Sequence, residues 1–159
     1  MTLEYLLEKL DYKIITGQID QPVSKLLYDS REACENGVFV CICGAVVDGH
    51  TFIPEVAKKG VTAVIVEKEV EAPENITVIR VENTRKALAY MSAAYFGYPA
   101  EKLKTIGITG TKGKTTTTYM VKSILEKTGF RTGLIGTIET IIGDKTIPAK
   151  NTTPESYVV

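Results

Sequence analysis

The apolar positions of this chain fall into two periods, and the period switches repeatedly along its length. Leu3, Leu6, Leu7 and Leu10 recur at helical spacing, so the chain opens on a short amphipathic helix. Short apolar runs at 24–28 and 38–43 then predict strands. Phe52, Ile53, Val56 and Ala57 form a helical face that ends at Gly60, a residue suited to the position just past a helix end. The run Thr-Ala-Val-Ile-Val at 62–66 has no polar alternation and reads as a strand buried on both sides. A loop containing Pro73 leads to a second such strand at 76–81. A helix is expected over 84–96, with Leu88, Met91, Ala94 and Tyr95 close to one face. Helices alternating with strands predict an α/β fold for this part of the chain.

Gly97, Tyr98 and Pro99 break that helix, and Pro99 disfavours a helical Tyr98. A domain boundary is therefore expected here, giving a first domain at 1–99 and a second at 100–159. In the second, an apolar strand at 103–108 runs into a glycine-rich turn. A helix follows, with Val121, Ile124, Leu125 and Thr128 on one face and Gly129 as its stop. A strand at 132–138, a hairpin turn at 141–145 and a helix start at Asn151-Thr-Thr-Pro154 complete the pattern. These elements are fewer than a doubly wound nucleotide-binding sheet uses. No later apolar strand ends on an acidic residue that could hold magnesium. The one near match, Glu67 after the run at 61–66, lies in the first domain and reads as a solvated strand end. The expectation is an incomplete second domain, and a chain that forms the N-terminal piece of a longer enzyme.

Composition narrows the partners. Of 159 residues, 44% are hydrophobic and 24% charged, the balance of a globular protein. Lys plus Arg equals Asp plus Glu at 19 each, which gives no support to a nucleic-acid partner. The start, MTLEYLLEKL, lacks the positive flank of a signal peptide, and no apolar run reaches membrane-spanning length. Cys34, Cys41 and Cys43 form no disulfide framework, which suits a reducing cytoplasm. Cys41 and Cys43 would share one strand face, with no histidine or further cysteine at a useful ligand spacing, so both read as buried, inert thiols.

The chemistry concentrates in the turn between 107 and 118. Gly110, Thr111, Lys112, Gly113, Lys114, Thr115 and Thr116 lie between a strand and a helix start, the order that builds a phosphate cradle. Glycines admit an anion close to the backbone, and the helix start offers unpaired N–H groups at the positive end of its dipole. Lys114 is placed to neutralise terminal phosphates, and the Thr115 hydroxyl to ligate Mg²⁺. The strict pattern G-x-x-x-x-G-K-[ST] is not met: its first glycine falls on Ile108, while Gly107, Gly110 and Gly113 recur three apart. An ordinary glycine turn is the plainer alternative, but it leaves the Gly-Lys-Thr tripeptide unexplained. A nucleoside triphosphate is the expected ligand.

Other candidates are weaker on local sequence. Asn151, Thr152 and Thr153 precede Pro154 as a helix cap that could gather an anion. Tyr28-Asp29-Ser30-Arg31 ends a strand, where Asp29 and Ser30 suit a turn and Arg31 a solvated charge. His50, the only histidine, follows the turn pair Asp48-Gly49 and reads as a helix-start or surface residue.

Taken together, these segments resemble the Mur ligase family, the ATP-dependent amide-forming enzymes of peptidoglycan synthesis. The likeness runs through YDSR at 28–31, GVFVCICG at 37–44, DGHTFI at 48–53 and GVTAVIVE at 60–67. It continues with TGTKGKTTT at 109–117, GLIGTIET at 133–140 and NTTPES at 151–156. The resemblance implies a small α/β N-terminal domain that binds a UDP-sugar, followed by the truncated start of a P-loop ATP-binding central domain. It implies that Gly110, Thr111, Lys112, Gly113, Lys114, Thr115 and Thr116 hold ATP, with Lys114 catalytic and Thr115 on Mg²⁺. Tyr28 (through its backbone) and Ser30 would meet the uridine end of the substrate. Asn151, Thr152 and Thr153 would meet its diphosphate and sugar. GLIGTI followed by NTTPES is similar to the branch that adds a diamino acid, L-lysine or meso-diaminopimelate, to UDP-N-acetylmuramoyl-L-alanyl-D-glutamate. The implied location is the cytoplasm, with neither nucleic acid nor membrane as partner. Ala-Val-Val at 45–47 departs from relatives with polar residues there, so any contact would be made by backbone. Lys112 stands where some members have Asn. The branch that adds D-Ala-D-Ala and a non-catalytic nucleotide-sugar module are the alternatives, and an unrelated kinase fits the glycine spacing poorly. This piece alone is expected to lack ligase activity.

Overall fold

The computed structural model describes residues 1–44, 46–149 and 154–159. It divides into two compact units, Met1–Lys102 and Leu103–Val159. Among the described residues no helix is long and apolar enough to cross a membrane.

The first unit is built on a five-stranded sheet. Its strands are β1 (Lys13–Thr16), β2 (Lys25–Leu27), β3 (Gly37–Val40), β4 (Ala63–Val66) and β5 (Thr77–Arg80), in the order β1-β5-β4-β3-β2. β2 to β5 are parallel, each paired with the next, and β1 closes the β5 edge antiparallel. Every residue of β3 and β4 is buried, which explains why these strands read as unbroken apolar runs. Because successive side chains point to opposite faces, the sheet supplies two cores. On one face Leu27, Phe39, Cys41, Val64, Val66 and Val78 pack with Ile53 and Val56 of α2 (Ile53–Lys58). On the other, α3 (Thr84–Tyr95) lies against β2, β3 and β4, and α1 (Leu3–Leu7) packs on α3. Leu88 and Met91 of α3 and all three α1 leucines are buried. The result is a three-layer α/β sandwich in which the C-termini of the four parallel strands, β2 to β5, share one end of the sheet.

β1 has no counterpart in the periodicity. All four of its residues are exposed, and Lys-Ile-Ile-Thr does not alternate. It forms because β5 offers an open hydrogen-bonding edge: Lys13 pairs with Arg80 and Ile14 with Ile79.

The second unit holds α4 (Lys114–Lys127) and a three-stranded antiparallel sheet of β6 (Gly133–Ile135), β7 (Glu139–Ile142) and β8 (Lys145–Pro148). β7 and β8 form the expected hairpin, with Gly143 at φ +57° in its turn. The expected strand at 132–138 stops at Ile135, where the Gly136 N–H turns back to the Glu139 carbonyl at 3.1 Å. The run at 103–108 is not a strand. Leu103 and Ile106 are exposed, and no described strand lies beside them to complete a ladder. Of the helix start expected at 151–154, residues 151–153 lie outside the described residues. Beyond them the chain makes a turn, with the Val158 N–H donating to the Glu155 carbonyl at 2.9 Å.

Candidate functional site

In the second unit the glycine turn delivers the chain into α4 without a side-chain cap. Gly113 occupies the cap position at φ +76°, a left-handed conformation that favours glycine, and among the described residues no side-chain cap bonds to the first N–H groups of the helix. A Cβ at Gly107 or Gly113 would meet no atom of the described residues within 4 Å. The Lys114 ammonium donates to the Gly110 carbonyl at 2.6 Å, which holds the charge over the turn. Thr115 is half-buried, whereas Thr111, Lys112 and Thr116 are exposed. Lys114 and Thr115 line a cavity of about 240 Å³ together with Thr118, Tyr119, Ile138 and Glu139. The Tyr119 hydroxyl donates to the Glu139 carboxylate at 2.5 Å, and that hydrogen bond raises the pKa of the phenol. Glu139 has no local sequence signal. It reaches the cavity because β7 folds back beside β6.

In the first unit the candidate residues gather where β2 and β3 end. Tyr28 leaves β2 half-buried, and Ser30 opens a single 3₁₀ turn, Ser30–Glu32. Asp29 caps that turn, accepting from the Arg31 N–H at 3.0 Å. The Arg31 guanidinium hydrogen bonds hold the Asp29 carboxyl down at about 2. Lys59 of the α2 end donates to the Ser30 carbonyl at 3.0 Å and to Glu55 at 2.7 Å, tying the β2 exit to the helix.

β3 leaves the sheet beside β2. Its exit is a tight turn in which the Gly44 N–H donates to the Val47 carbonyl at 2.9 Å and the Gly49 N–H to the Ile42 carbonyl at 2.9 Å. A Cβ on Gly49 would lie 2.7 Å from the Ile42 nitrogen, so this approach requires glycine. Cys43 is exposed, contrary to the buried-thiol expectation. The strand ends at Val40, so alternation no longer places Cys43 beside the buried Cys41, whose thiol burial pushes far up.

His50 is only 6% exposed, so it is a helix-start residue but not a surface one. Its backbone N–H donates to Asp48 Oδ1 at 3.0 Å, and its Nδ1 lies 2.5 Å from the same oxygen. Its Nε2 accepts from the Glu67 N–H at 3.3 Å, which leaves Nδ1 as the protonated nitrogen. Lys68 bonds to the other Asp48 oxygen, and that hydrogen bond is the first cause of a strongly lowered Asp48 pKa. Cys43, Asp48 and His50 bring three potential ligand atoms within 4.8 Å of one another. Both ring nitrogens and both carboxylate oxygens already have partners, so the cluster is a hydrogen-bonded brace. Glu67 is likewise not a free solvated end. Its carboxylate accepts from the Thr84 N–H at 3.0 Å and the Thr84 hydroxyl at 2.8 Å, and the Thr84 N–H is the main reason its pKa is lowered.

The structure thus brings Tyr28 and Ser30 to one sheet edge, and Lys114 and Thr115 to one cavity wall in the other unit. Asn151, Thr152 and Thr153 lie outside the described residues.

Comparison with known proteins bears on both units. Residues 22–96 match the family described as "Mur ligase family, catalytic domain", and residues 108–159 match the Mur ligase middle domain. The chain is 54% identical over 157 residues to a UDP-N-acetylmuramoyl-L-alanyl-D-glutamate–2,6-diaminopimelate ligase of Clostridium perfringens, covering 99% of this chain and 32% of that protein. A solved structure of MurF from Acinetobacter baumannii aligns with a TM-score of 0.61 at 34% identity, over 79% of this chain and 27% of that one. A solved UDP-N-acetylmuramoyl-L-alanyl-D-glutamate–2,6-diaminopimelate ligase shares the fold with a TM-score of 0.74 at 20% identity, over 99% of this chain and 31% of that one. The chain spans about a third of the length of the curated relatives it matches. With one match in each unit and high identity running across both, the chain belongs to the Mur ligase family.

Proposed function

We propose that this chain supplies the uridine-nucleotide-sugar site and the ATP phosphate cradle of a ligase that joins 2,6-diaminopimelate to UDP-N-acetylmuramoyl-L-alanyl-D-glutamate. The observation that carries the reading is the glycine turn into α4 in a chain 54% identical to a ligase named for that reaction. Domain roles follow: residues 1–99 for the nucleotide sugar and 100–159 for the start of the ATP-binding domain. Work in the cytoplasm, where ATP and the UDP-linked precursor are available, is part of the reading.

In this reading a carboxylate oxygen of the UDP-linked dipeptide attacks the γ-phosphorus of ATP, giving ADP and an acyl phosphate. The amine of the diamino acid then attacks the acyl carbon. The C–O bond to phosphate breaks with its electron pair, inorganic phosphate leaves, and the amine gives up a proton to solvent or a base. Negative charge on the transferring phosphoryl group is what the site must stabilise. The N–H groups at the start of α4 face that charge, with Gly110, Thr111, Lys112, Gly113 and Thr116 shaping the turn around the phosphates. Lys114 adds a positive charge held over the turn. Mg²⁺ would supply further positive charge to neutralise the phosphates. Thr115, whose half-buried side chain lines the cavity beside Lys114, fits as its protein hydroxyl ligand. Tyr28 and Ser30 take the uridine end of the substrate. Asn151, Thr152 and Thr153 take its diphosphate and sugar.

Calorimetric titration of the 159-residue chain tests the two sites separately. Mg-ATP is expected to bind, and Lys114→Ala to weaken that binding by about 10- to 100-fold while leaving the nucleotide sugar unaffected. UDP-N-acetylmuramoyl-L-alanyl-D-glutamate is expected to bind, with Ser30→Ala weakening it. Absence of binding by both ligands would sink the reading.

A further inference from the structure

We infer that His50 is a positioning residue for the uridine-nucleotide site: it braces the turn leaving β3 so that this turn and the β2 exit present one fixed lip. The inference rests on the uridine-nucleotide reading of the first unit. β2 and β3 are neighbouring parallel strands, with Leu26 opposite Val38 and Leu27 opposite Phe39. Their exits therefore emerge side by side, Tyr28 and Ser30 from one and the turn carrying Val46 and Val47 from the other. Val46 is 95% exposed, and Val47 is exposed beside it, so neither valine anchors the turn by core packing.

Hydrogen bonds hold it instead, and they converge on one buried ring. Asp48 receives the His50 backbone N–H and faces Nδ1, so the ring and the turn move together. Nε2 is pinned by the Glu67 N–H at the end of β4. Glu67 continues the chain of contacts into the first turn of α3 through Thr84, itself fully buried. Gly49 lets the turn press against the Ile42 backbone, and Thr51 closes it from the other side, its hydroxyl donating to the Asp48 carbonyl at 2.7 Å. The brace thus runs from the β3 exit to the β4 end to α3. A site pre-formed in this way spends less binding free energy on ordering its lip.

The test uses uridine diphosphate titrated into the 159-residue chain, with amide exchange followed on the same samples. His50→Ala is expected to weaken uridine diphosphate about tenfold by loosening the lip, and to speed exchange at Gly44 and Gly49 while β4 stays protected. His50→Gln, whose amide oxygen can accept the Glu67 N–H in place of Nε2, is expected to recover most of the affinity. Each affinity is measured where thermal melting shows the variant fully folded, so a purely structural role would lower the melting temperature and leave affinity unchanged. If His50→Ala does not fold, Asp48→Asn decides: weakened binding with faster exchange at the His50 N–H supports the brace. Unchanged affinity in a folded His50 or Asp48 variant overturns the inference and leaves the uridine reading intact. Failure of the unmodified chain to bind uridine diphosphate overturns the reading, and the inference with it.

Discussion

The two units handle their apolar residues in opposite ways. In the first, β3 and β4 are buried along their whole length, and helices cover both faces of the sheet. In the second, Leu134 alone among the described hydrophobic residues is buried, while Met120, Ile124, Ile138 and Ile142 stand exposed. The difference teaches where each candidate site gets its geometry. The glycine turn into α4 is shaped by near neighbours in sequence: Lys114 on Gly110, and the Thr117 N–H on the Gly113 carbonyl at 2.9 Å. The β2 and β3 exits are shaped by partners far along the chain, with Lys59 reaching Ser30, and Glu67 reaching both His50 and Thr84. Distant substitutions should therefore disturb the first site and spare the second.

The largest expected effect is in the core. Phe39→Ala should cost the first unit about 3–5 kcal/mol, read from denaturant unfolding by circular dichroism. Leu134→Ala, with few buried neighbours to leave a cavity among, should cost clearly less. Equal losses would erase the contrast between the units. Next is Lys114→Ala, which removes a charge-assisted contact and should weaken Mg-ATP by about 10- to 100-fold. The unfolding midpoint of the first unit should not move, and a shift there would mean that the turn is not locally built.

Glu67→Ala comes third, with an expected loss of about 1 kcal/mol as the Thr84 N–H and hydroxyl lose their acceptor. The Glu67 carboxyl is held below its ordinary value in the folded chain. Its contribution is therefore present above the unfolded pKa and fades as pH falls through the folded one. The gap between parent and variant should close in acid, and a gap that persisted there would show that packing, not charge, was lost. The smallest effect is at Asp29, folded near 2 because of Arg31. Asp29→Asn should cost a little stability at neutral pH, and that difference should vanish between about pH 4 and pH 2. Arg31 is largely exposed, so solvent and salt screen the pair. High salt should shrink the effect further.

What could be read from the sequence followed burial. The strands at 62–66 and 76–81 and the helix at 84–96 were legible because each sets a run or face of apolar residues against the core. β1 was not, because an edge strand with four exposed residues answers to β5's open hydrogen bonds and not to a hydrophobic pattern. The run at 103–108 misled for the converse reason, since apolar residues make a strand only beside another strand. The glycine turn into α4 was legible because Gly110, Gly113 and Lys114 act locally. The brace was not: Asp48-Gly49-His50 looks like any turn, and nothing in the sequence says that Glu67 arrives beside it. Glu139 escaped notice in the same way, brought to the cavity by a hairpin and not by a motif.

The antiparallel pairing of β1 with β5 has a consequence for the order of events during synthesis. β2 to β5 are laid down in sequence, and each can pair with the strand made just before it. The segment at 13–16 is made earlier than all of them, yet its partner at 77–80 comes last. Since domains generally assemble as the chain leaves the ribosome, the first strand must wait while the rest of the sheet assembles. That pairing closes the longest loop in the sheet, so it is expected to form more slowly than the pairings between successive strands. The segment at 13–16 is thus expected to behave as a latch, seated once the sheet it secures is in place.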